Sequence, residues 1–220
     1  QAFAESSALP GVSYTSATNT LALGDGNSGQ PASEVVTVPA LASLLANKGL
    51  AALLVDQGNQ TWLLKANLVI ERSARLDATS ATIKELRLDS PPAAPVTITA
   101  RRGGHLLIDG INVKSWDSTI NAVDESIADG RSYLLAVEGG RMDILFSDVA
   151  YLGAGSGEPS GLSWRKRLTS DPKTGATGRL EDSKIHHNYF GMYSYEAYGL
   201  KILRNEVYNN IYYGIDPHDN

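Results

Sequence analysis

The chain has 220 residues, of which 42% are hydrophobic and 20% charged, with no cysteine and a formal net charge of −5. The acidic balance argues against a nucleic-acid-binding protein, which would carry a basic patch, and an anionic polymer would require lysines and arginines concentrated locally. No apolar run approaches the length of a membrane span, and the absence of cysteine fits oxidising and reducing compartments alike.

The first part of the chain has the composition of a loop or linker. Residues 1–33 are rich in Ser, Thr, Gly, Asn and Ala, with Gly24-Asp25-Gly26-Asn27-Ser28-Gly29 at their centre, and we expect them to be irregular. Ala2-Phe3-Ala4 is similar to the small-x-small end of a secretory signal. Because residue 1 is Gln and the chain stops inside its most distinctive motif, the sequence is interpreted as a fragment of a longer protein.

A short strand and a helix are predicted next. Residues 34–38 have strand character that ends at Pro39. Proline also suits the first turn of a helix, residues 40–46 are apolar at helical spacing, and Lys48-Gly49 would stop such a helix. We therefore expect residues 1–50 to form an N-terminal segment and cap.

From residue 51 onwards the pattern is that of short strands. Polar or proline-rich connectors separate the apolar or alternating runs, and no helical pattern lies between them, which favours an all-β fold. The runs cover residues 53–55, 62–70, 83–88, 96–100 and 106–113.

A repeat decides which all-β fold this is. The β-branched anchors Val113, Val149, Ile185 and Val207 are separated by 36, 36 and 22 residues, as their numbers give, and Ser or Asn stands two places before each of the last three. The shortest interval is one coil of a solenoid, and the longer ones are a coil plus an insertion. Residues 51–220 are therefore predicted to form a right-handed parallel β-helix, with insertions at 117–131 and 153–178.

The last two coils can be put in register. Residues 185–191 match residues 207–214 with one residue extra, and equivalent positions of neighbouring coils stack at the strand spacing, about 4.8 Å. The register places Tyr193 beside Asp216, Tyr195 beside His218 and Glu196 beside Asp219. We expect a site spread over adjacent coils of one sheet, with the two tyrosines as its floor.

The end of the chain carries the candidate chemistry. In an extended strand Asp216 and His218 share one face, because Pro217 between them points to the other. A histidine next to a carboxylate is a general base suited to neutral pH, which makes His218 the candidate base and Asp216 the group that orients its ring. Asp219 would do the same or bind sugar hydroxyls, and Tyr213 offers a phenol or a stacking ring. The alternative is an acidic turn, since Asp-Pro and Asp-Asn both form turns.

The same motif carries a family resemblance. Tyr-Gly-Ile-Asp-Pro-His-Asp, residues 213–219, resembles the signature of bacterial mannuronan C-5 epimerases of the periplasmic alginate-biosynthesis (AlgG-like) type. Gly191-Met192-Tyr193, Gly161-Leu162-Ser163-Trp164-Arg165 and Lys114-Ser115-Trp116-Asp117 extend the likeness over roughly the second half of the chain. The resemblance implies the periplasm, a polymannuronate or alginate substrate, and partners among the proteins of a periplasmic alginate secretion complex. It implies truncation at the active-site coil, and we expect neither a cofactor nor a metal.

Epimerisation at C5 of mannuronate requires a base, relief of the substrate's carboxylate charge and a proton donor on the opposite face. His218 is the base. The basic run Trp164-Arg165-Lys166-Arg167 supplies Arg165 as the cation within this chain, although a solvated basic loop would have the same composition. The resemblance implies a further neutralising arginine in a coil after residue 220 and a proton donated by water. Contacts to the polymer are expected from Tyr213, Tyr193, Tyr195, Arg165 and Glu196.

Several alternatives remain open at this point. A polysaccharide lyase removes the same proton but then breaks the C4–O4 bond. A glycosidase would pair Asp216 or Asp219 with another carboxylate, and a metal site from the same cluster is a further option. A non-catalytic polysaccharide-binding scaffold would leave the cluster without a role. Of the other histidines, His186 and His187 are expected on opposite faces without a shared role, one of them at a coil turn, and His105 on a surface loop.

Overall fold

The computed structural model describes residues 11–24, 34–72, 74–155, 158–166 and 175–218. The chain is a right-handed parallel β-helix, which confirms the predicted fold class. The described ranges contain twenty-two strands, the α-helix α1 (Val38–Asn47) and three single-turn 3-10 helices at Ser16–Thr18, Ala51–Leu53 and Glu158–Ser160. None of the described helices is long and apolar enough to cross a bilayer.

The strands follow one another at short intervals. The first eleven are β1 Val12–Thr15, β2 Thr20–Leu23, β3 Glu34–Thr37, β4 Leu54–Asp56, β5 Thr61–Leu64, β6 Asn67–Ile70, β7 Ala74–Thr79, β8 Glu85–Asp89, β9 Thr97–Arg101, β10 His105–Asp109 and β11 Asn112–Asp117. The remaining eleven are β12 Ala122–Val123, β13 Tyr133–Val137, β14 Arg141–Leu145, β15 Asp148–Ala150, β16 Gly161–Arg165, β17 Thr177–Glu181, β18 Lys184–His186, β19 Phe190–Tyr195, β20 Lys201–Leu203, β21 Glu206–Tyr208 and β22 Ile215–His218.

Three sheets run along the β-helix. The first has the order β1-β2-β6-β9-β13-β16-β19-β22, the second β20-β17-β14-β10-β7-β3, and the third β21-β18-β15-β11-β8-β5-β4 with β12 beside β11. All pairs are parallel except β1/β2, β4/β5 and β11/β12. Each coil takes one strand from each sheet in turn, so β6, β7 and β8 form one coil and β19, β20 and β21 the fifth.

Stacked apolar rows fill the interior. On the first sheet Leu68, Ile98, Leu134 and Leu162 lie in register on successive strands, and none is more than 1% exposed. Each row removes one side chain per coil from water, which is the main source of stability in such a stack.

One large residue enters this interior. Trp164 is fully buried and its indole Nε1 donates a hydrogen bond to the Met142 carbonyl at 3.0 Å. Gly178 provides the room, because a Cβ there would stand 2.7 Å from that indole nitrogen and 1.9 Å from the Met142 oxygen. The tryptophan of the predicted basic run is thus a core residue.

The predicted anchors form one column of the third sheet. Val113 pairs with Val149, Val149 with Ile185, and Ile185 with Val207, which confirms the predicted repeat.

The last three anchors have a polar residue two places before them, and these residues are joined by hydrogen bonds from coil to coil. The Ser147 N–H donates to Ser183 Oγ at 3.1 Å, and the Ser183 N–H donates to Asn205 Oδ1 at 3.0 Å. This ladder satisfies backbone donors that the turns leave unpaired.

The N-terminal part differs from the prediction in one respect. Residues 12–23 are not irregular, because β1 and β2 form a hairpin and β2 pairs with β6. Leu21 and Leu23 are fully buried and alternate with the partly exposed Thr20 and Ala22, a short strand signal within a polar composition. The rest of 1–33, apart from residues 11 and 24, lies outside the described residues.

Helix α1 follows the predicted pattern. The Thr37 hydroxyl accepts a hydrogen bond from the Ala40 N–H at 3.3 Å, and Pro39 stands in the first turn. Val38 and Leu41 line a small apolar space together with core leucines of the first coils. The helix therefore closes that end of the interior, while the boundary at residue 50 stays a prediction.

The predicted insertion at 153–178 is only partly an insertion. Residues Gly161–Arg165 form β16, a strand between β13 and β19 on the first sheet whose register with β19 shifts between Gly161 and Ser163. The glycine- and serine-rich residues before this strand and the basic, polar residues after it concealed it. Arg165 therefore lies on a sheet face and not in a loop.

Candidate functional site

The candidate site is on the outward face of the first sheet, where β22 pairs with β19. Tyr193 is in register with Asp216 and Tyr195 with His218, which confirms the predicted alignment of the two coils. Pro217 faces Ser194, which is 2% exposed, so the residues on either side of the proline point outward.

Asp216 and His218 form an ion pair or hydrogen bond along the strand. Asp216 Oδ1 is 3.1 Å from His218 Nε2, and the two side chains are 18% and 51% exposed. A carboxylate beside Nε2 accepts the proton of that nitrogen, so the neutral ring keeps its lone pair on Nδ1. The imidazole is thus in contact with Asp216 on one side, and half of the side chain is exposed to solvent.

An aromatic ring and a cation adjoin the histidine. The ring centroids of Tyr193 and His218 are 5.3 Å apart at 33°. The guanidinium carbon of Arg165 lies 5.2 Å from the Tyr193 centroid, within cation–π range, and Arg165 is in register with Tyr195. Three successive strands therefore bring a cation, two phenols and an Asp/His pair onto one face.

Glu196 is held next to this group. It has a left-handed backbone, with φ of 45°, and its N–H donates to the His218 carbonyl at 3.2 Å. Lys166 forms a salt bridge with its carboxylate. The sequence argument did not single out Lys166 as a site residue; its position immediately after Arg165 was the available signal. Asp219 and Arg167 lie outside the described residues.

Tyr213 belongs to an aromatic corner between the third and first sheets. Its ring stacks on Phe190 with centroids 5.6 Å apart at 3°, and Tyr212 stacks on Tyr189 at 5.8 Å and 14°. Tyr213 and Tyr212 are 51% and 62% exposed, so both present ring faces to solvent. Tyr189, Phe190 and Tyr212 were not among the residues selected from the sequence. The alignment of residues 189–190 with 212–213 in the repeat was the signal that pointed to them.

The site does not extend along its row onto β16 and β13, because the residues of the row on those strands are buried. Ser163 lies in the same row as Tyr193, but its hydroxyl is fully buried against Ser160, with the oxygens 2.5 Å apart. On the preceding strand this row holds Leu135, which is 4% exposed, so the accessible polar groups of the row begin at Tyr193. In the neighbouring row, burial raises the pKa of Tyr133 above its usual value, and the negative charge of Glu158 adds to this.

The expectation that one of the paired histidines sits at a coil turn is confirmed for His187, whereas the opposite faces of the pair and the loop position of His105 are wrong. His187 adopts a left-handed turn conformation, with φ of 54°, which brings its Nδ1 to 2.6 Å from His186 Nδ1. His105 is in β10, where its Nε2 lies 3.0 Å from Asp143 Oδ2. These side chains lie on the third and second sheets and do not join the candidate site.

A clustered metal site is not evident in the described ranges. No group of three or more His, Cys, Asp or Glu side chains converges there. Within the candidate site, the carboxylates of Asp216 and Glu196 already face His218 and Lys166.

The similar proteins of known function are mannuronan epimerases. No protein-family model matches the chain. The mannuronan C5-epimerase of Pseudomonas fluorescens is 31% identical over 164 residues, covering 72% of this chain and 30% of the relative. The mannuronan C5-epimerase AlgG of Azotobacter vinelandii is 31% identical over 146 residues, 62% of this chain and 26% of the relative. The chain thus spans about a third of the length of these relatives.

Solved structures agree on the fold. The crystal structure of the periplasmic alginate epimerase AlgG superimposes with a TM-score of 0.71 at 21% identity, over 91% of this chain and 45% of that one. A point mutant of the same enzyme gives a TM-score of 0.73. The β-helix described above is the fold of those enzymes.

Proposed function

The chain is homologous to mannuronan C5-epimerases of the AlgG type, and from that premise we propose that it epimerises β-D-mannuronate to α-L-guluronate at C5 within polymannuronate. It would act as an isomerase on the finished polymer during alginate biosynthesis. The observation that carries the proposal is the outward Asp216/His218 pair, 3.1 Å apart, next to Tyr193 and the guanidinium of Arg165.

The base is the first part of the proposed mechanism. Asp216 accepts a hydrogen bond from Nε2–H of His218, and Nδ1 takes the C5 proton of a mannuronate residue lying over the sheet, which leaves an imidazolium and a C5 carbanion stabilised through the substrate's carboxylate. The half-exposed ring leaves room for this approach. The Asp216 carboxylate also stabilises the imidazolium that forms, as carboxylates do behind other catalytic imidazoles.

Charge relief is the second part. Removing the C5 proton places negative charge on the substrate's carboxylate, and a guanidinium binds such a group with two parallel hydrogen bonds. Arg165 is the cation of the described residues that stands over Tyr193, while Lys166 is engaged by Glu196. Asp219 and a further arginine remain part of the hypothesis.

Reprotonation of C5 and binding of the polymer are the remaining parts of the proposed mechanism. The opposite face of the sugar receives a proton from water or from a tyrosine, and Tyr193 and Tyr195 are the phenols on this sheet face. Tyr213 would stack on a neighbouring sugar, because its ring face is exposed and its back is supported by Phe190.

The setting of the reaction follows from the same premise. The similar crystal structures are those of a periplasmic enzyme, and we place the protein in the periplasm. Its polymeric partner would be polymannuronate or alginate, and its protein partners the components of an alginate secretion complex.

Proton NMR of polymannuronate incubated with the protein tests the proposal. We expect guluronate signals to appear without a new absorbance from unsaturated uronate. Unsaturated ends without guluronate would instead identify a polysaccharide lyase, which uses the same base. Polymer that binds and stays unchanged would leave only a polysaccharide-binding scaffold.

A further inference from the structure

A second cluster of ionisable side chains lies on the third sheet, away from the candidate epimerase site. It consists of Asp148 on β15, His186 on β18, His187 in the turn after β18, and the rings of Tyr151 and Tyr208. Nothing in the proposed epimerisation uses these groups.

The two histidines meet through their Nδ1 atoms. His186 Nδ1 and His187 Nδ1 are 2.6 Å apart, and on the other side of its ring His186 Nε2 is 2.9 Å from Asp148 Oδ1. The left-handed backbone of His187 folds its ring back toward the strand.

The carboxylate fixes the tautomer of His186. Because Asp148 accepts a hydrogen bond from Nε2–H, the neutral ring presents a lone pair on Nδ1. That lone pair points at a second imidazole nitrogen, so the space between the rings holds either one shared proton or a cation bound by both. A carboxylate behind a histidine is the usual outer partner of a metal-ligating imidazole.

The rings are held in place on both sides. Tyr208 stacks on His186 with centroids 4.8 Å apart at 16°, and Tyr151 stacks on His187 at 5.1 Å and 19°. This packing limits rotation, so the two nitrogens stay directed at one point without a ligand to hold them.

A cleft adjoins the pair at His186, the one of the two histidines that lines it. It has a volume of about 210 Å³, and its lining also includes Asn112, Lys114, Asp148 and Tyr151. A third protein ligand does not converge here within the described ranges. Water or a small oxygen donor in the cleft would therefore fill the remaining positions of a bound ion.

We propose that His186 and His187 bind a divalent transition-metal ion of the copper, nickel or zinc class through their Nδ1 atoms, with Asp148 as the supporting carboxylate. Imidazole nitrogens favour these ions, and Cu²⁺ binds such sites most tightly. A tetrahedral ion with bonds of about 2.0–2.1 Å needs its nitrogens roughly 3.3 Å apart, so the rings must separate by less than 1 Å.

The neighbouring coil supplies variants that the fold already tolerates. Tyr208 and Asn209 occupy the positions of His186 and His187 in the next coil, and Asn209 has the same left-handed backbone, with φ of 51°. His187→Asn and His186→Tyr therefore remove the ligands while preserving the turn. His105→Ala is the matched control, because His105 also faces a carboxylate but lies on the second sheet.

Calorimetric titration of the purified protein with Cu²⁺, and separately with Zn²⁺, measures the binding. We expect one ion per chain at these residues, a loss of affinity of at least tenfold in His187→Asn and His186→Tyr, and about 10- to 100-fold in Asp148→Asn. His105→Ala should bind as tightly as the parent. Electron paramagnetic resonance of the Cu²⁺ form should show coupling to two imidazole nitrogens.

The proposal fails if neither ion binds, if both ligand variants bind as tightly as the parent, or if the spectrum shows fewer than two nitrogens from this pair. In those cases the two rings share a proton only. Circular dichroism of each variant separates loss of the site from loss of the fold.

Discussion

At the scale of single residues, the chemistry depends on which nitrogen of His218 is occupied. The Asp216 carboxylate lies 3.1 Å from Nε2, which leaves Nδ1 for the substrate. The His218 side chain is 51% exposed and can be reached from solvent, whereas the Asp216 side chain is only 18% exposed.

Asp216→Asn tests this division of roles. The amide has the shape of the carboxylate but no charge, and it can donate to Nε2 and so favour the wrong tautomer. We expect kcat to fall by about 10²–10⁴-fold, the contribution typical of a general base, with KM changed little. A variant that retains near-parental kcat would show that Asp216 does not support the base.

Arg165→Gln tests the charge relief. The substitution removes the cation over Tyr193 while keeping a side chain of similar length. Loss of a contact that is made mainly in the transition state lowers kcat. We therefore expect kcat/KM to fall by on the order of 10²-fold. Arg165→Lys should retain more of the parent's kcat/KM than Arg165→Gln, because a lysine keeps the charge but loses the bidentate geometry. Equal activity of Arg165→Gln and the parent would rule out this residue as the carboxylate partner.

Asp143 gives a prediction about acid stability. Burial would raise its pKa, but hydrogen bonds from His105 and Arg141 outweigh burial and hold the pKa below its usual range. A carboxylate with a lowered folded-state pKa contributes stability above the unfolded pKa, about 3.9, and loses it as pH falls through the lower folded value. Asp143→Asn should therefore lower the free energy of unfolding by about 1–3 kcal/mol at pH 7.

Denaturant unfolding at several pH values measures that difference. The gap between Asp143→Asn and the parent should narrow below pH 4, where the parent's carboxylate becomes protonated. A gap that stays constant from pH 7 to pH 3 would contradict the assignment.

At the scale of elements, an asparagine in each of the last two coils provides hydrogen-bond partners for backbone groups of the coil before it. Asn188 is fully buried, its Oδ1 accepts from the Leu152 N–H at 2.8 Å, and its Nδ2 donates to the Val149 carbonyl at 3.1 Å. The next coil repeats the arrangement, since Asn210 Oδ1 accepts from the Asn188 N–H at 3.0 Å.

Asn188→Ala should destabilise the coil stack. It leaves a buried N–H and a buried carbonyl without these partners, which costs about 1–3 kcal/mol for each group left unsatisfied. Thermal unfolding should show a lower midpoint for Asn188→Ala than for the control Asn112→Ala, because Asn112 is exposed on β11. Equal unfolding midpoints for the two variants would show that the hydrogen bonds of Asn188 do not stabilise the coil stack.

The sequence predicted the column of anchors because Val149, Ile185 and Val207 recur in phase with the coil. It did not predict β16, since a strand of five residues between a glycine-rich segment and a basic, polar one has little periodicity of its own. It predicted a turn position for one of the paired histidines but not the contact between their rings, because a left-handed turn residue breaks the alternation that would place them on opposite faces. The register of Asp216 and His218 was predictable from the repeat, whereas their roles stay a prediction.

At the scale of the whole molecule, the parallel stack converts a sequence repeat into a surface. Arg165, Tyr195 and His218 are far apart in the chain but occupy successive strands of one sheet, each step about 4.8 Å. A polymer lying across these strands would meet the cation, the phenols and the base together. The stacked rings at the neighbouring corner would extend the contact to adjacent sugars.

The claim at the centre of this account is that His218 removes the C5 proton, and isotope exchange measures that step directly. Polymannuronate incubated with the protein in deuterated water should yield guluronate that carries deuterium at C5, because the new C5–H bond is formed with a solvent-derived proton. His218→Ala should form neither product nor deuterated polymer, while His105→Ala should match the parent. C5 deuteration by His218→Ala at a rate near that of the parent would contradict the account.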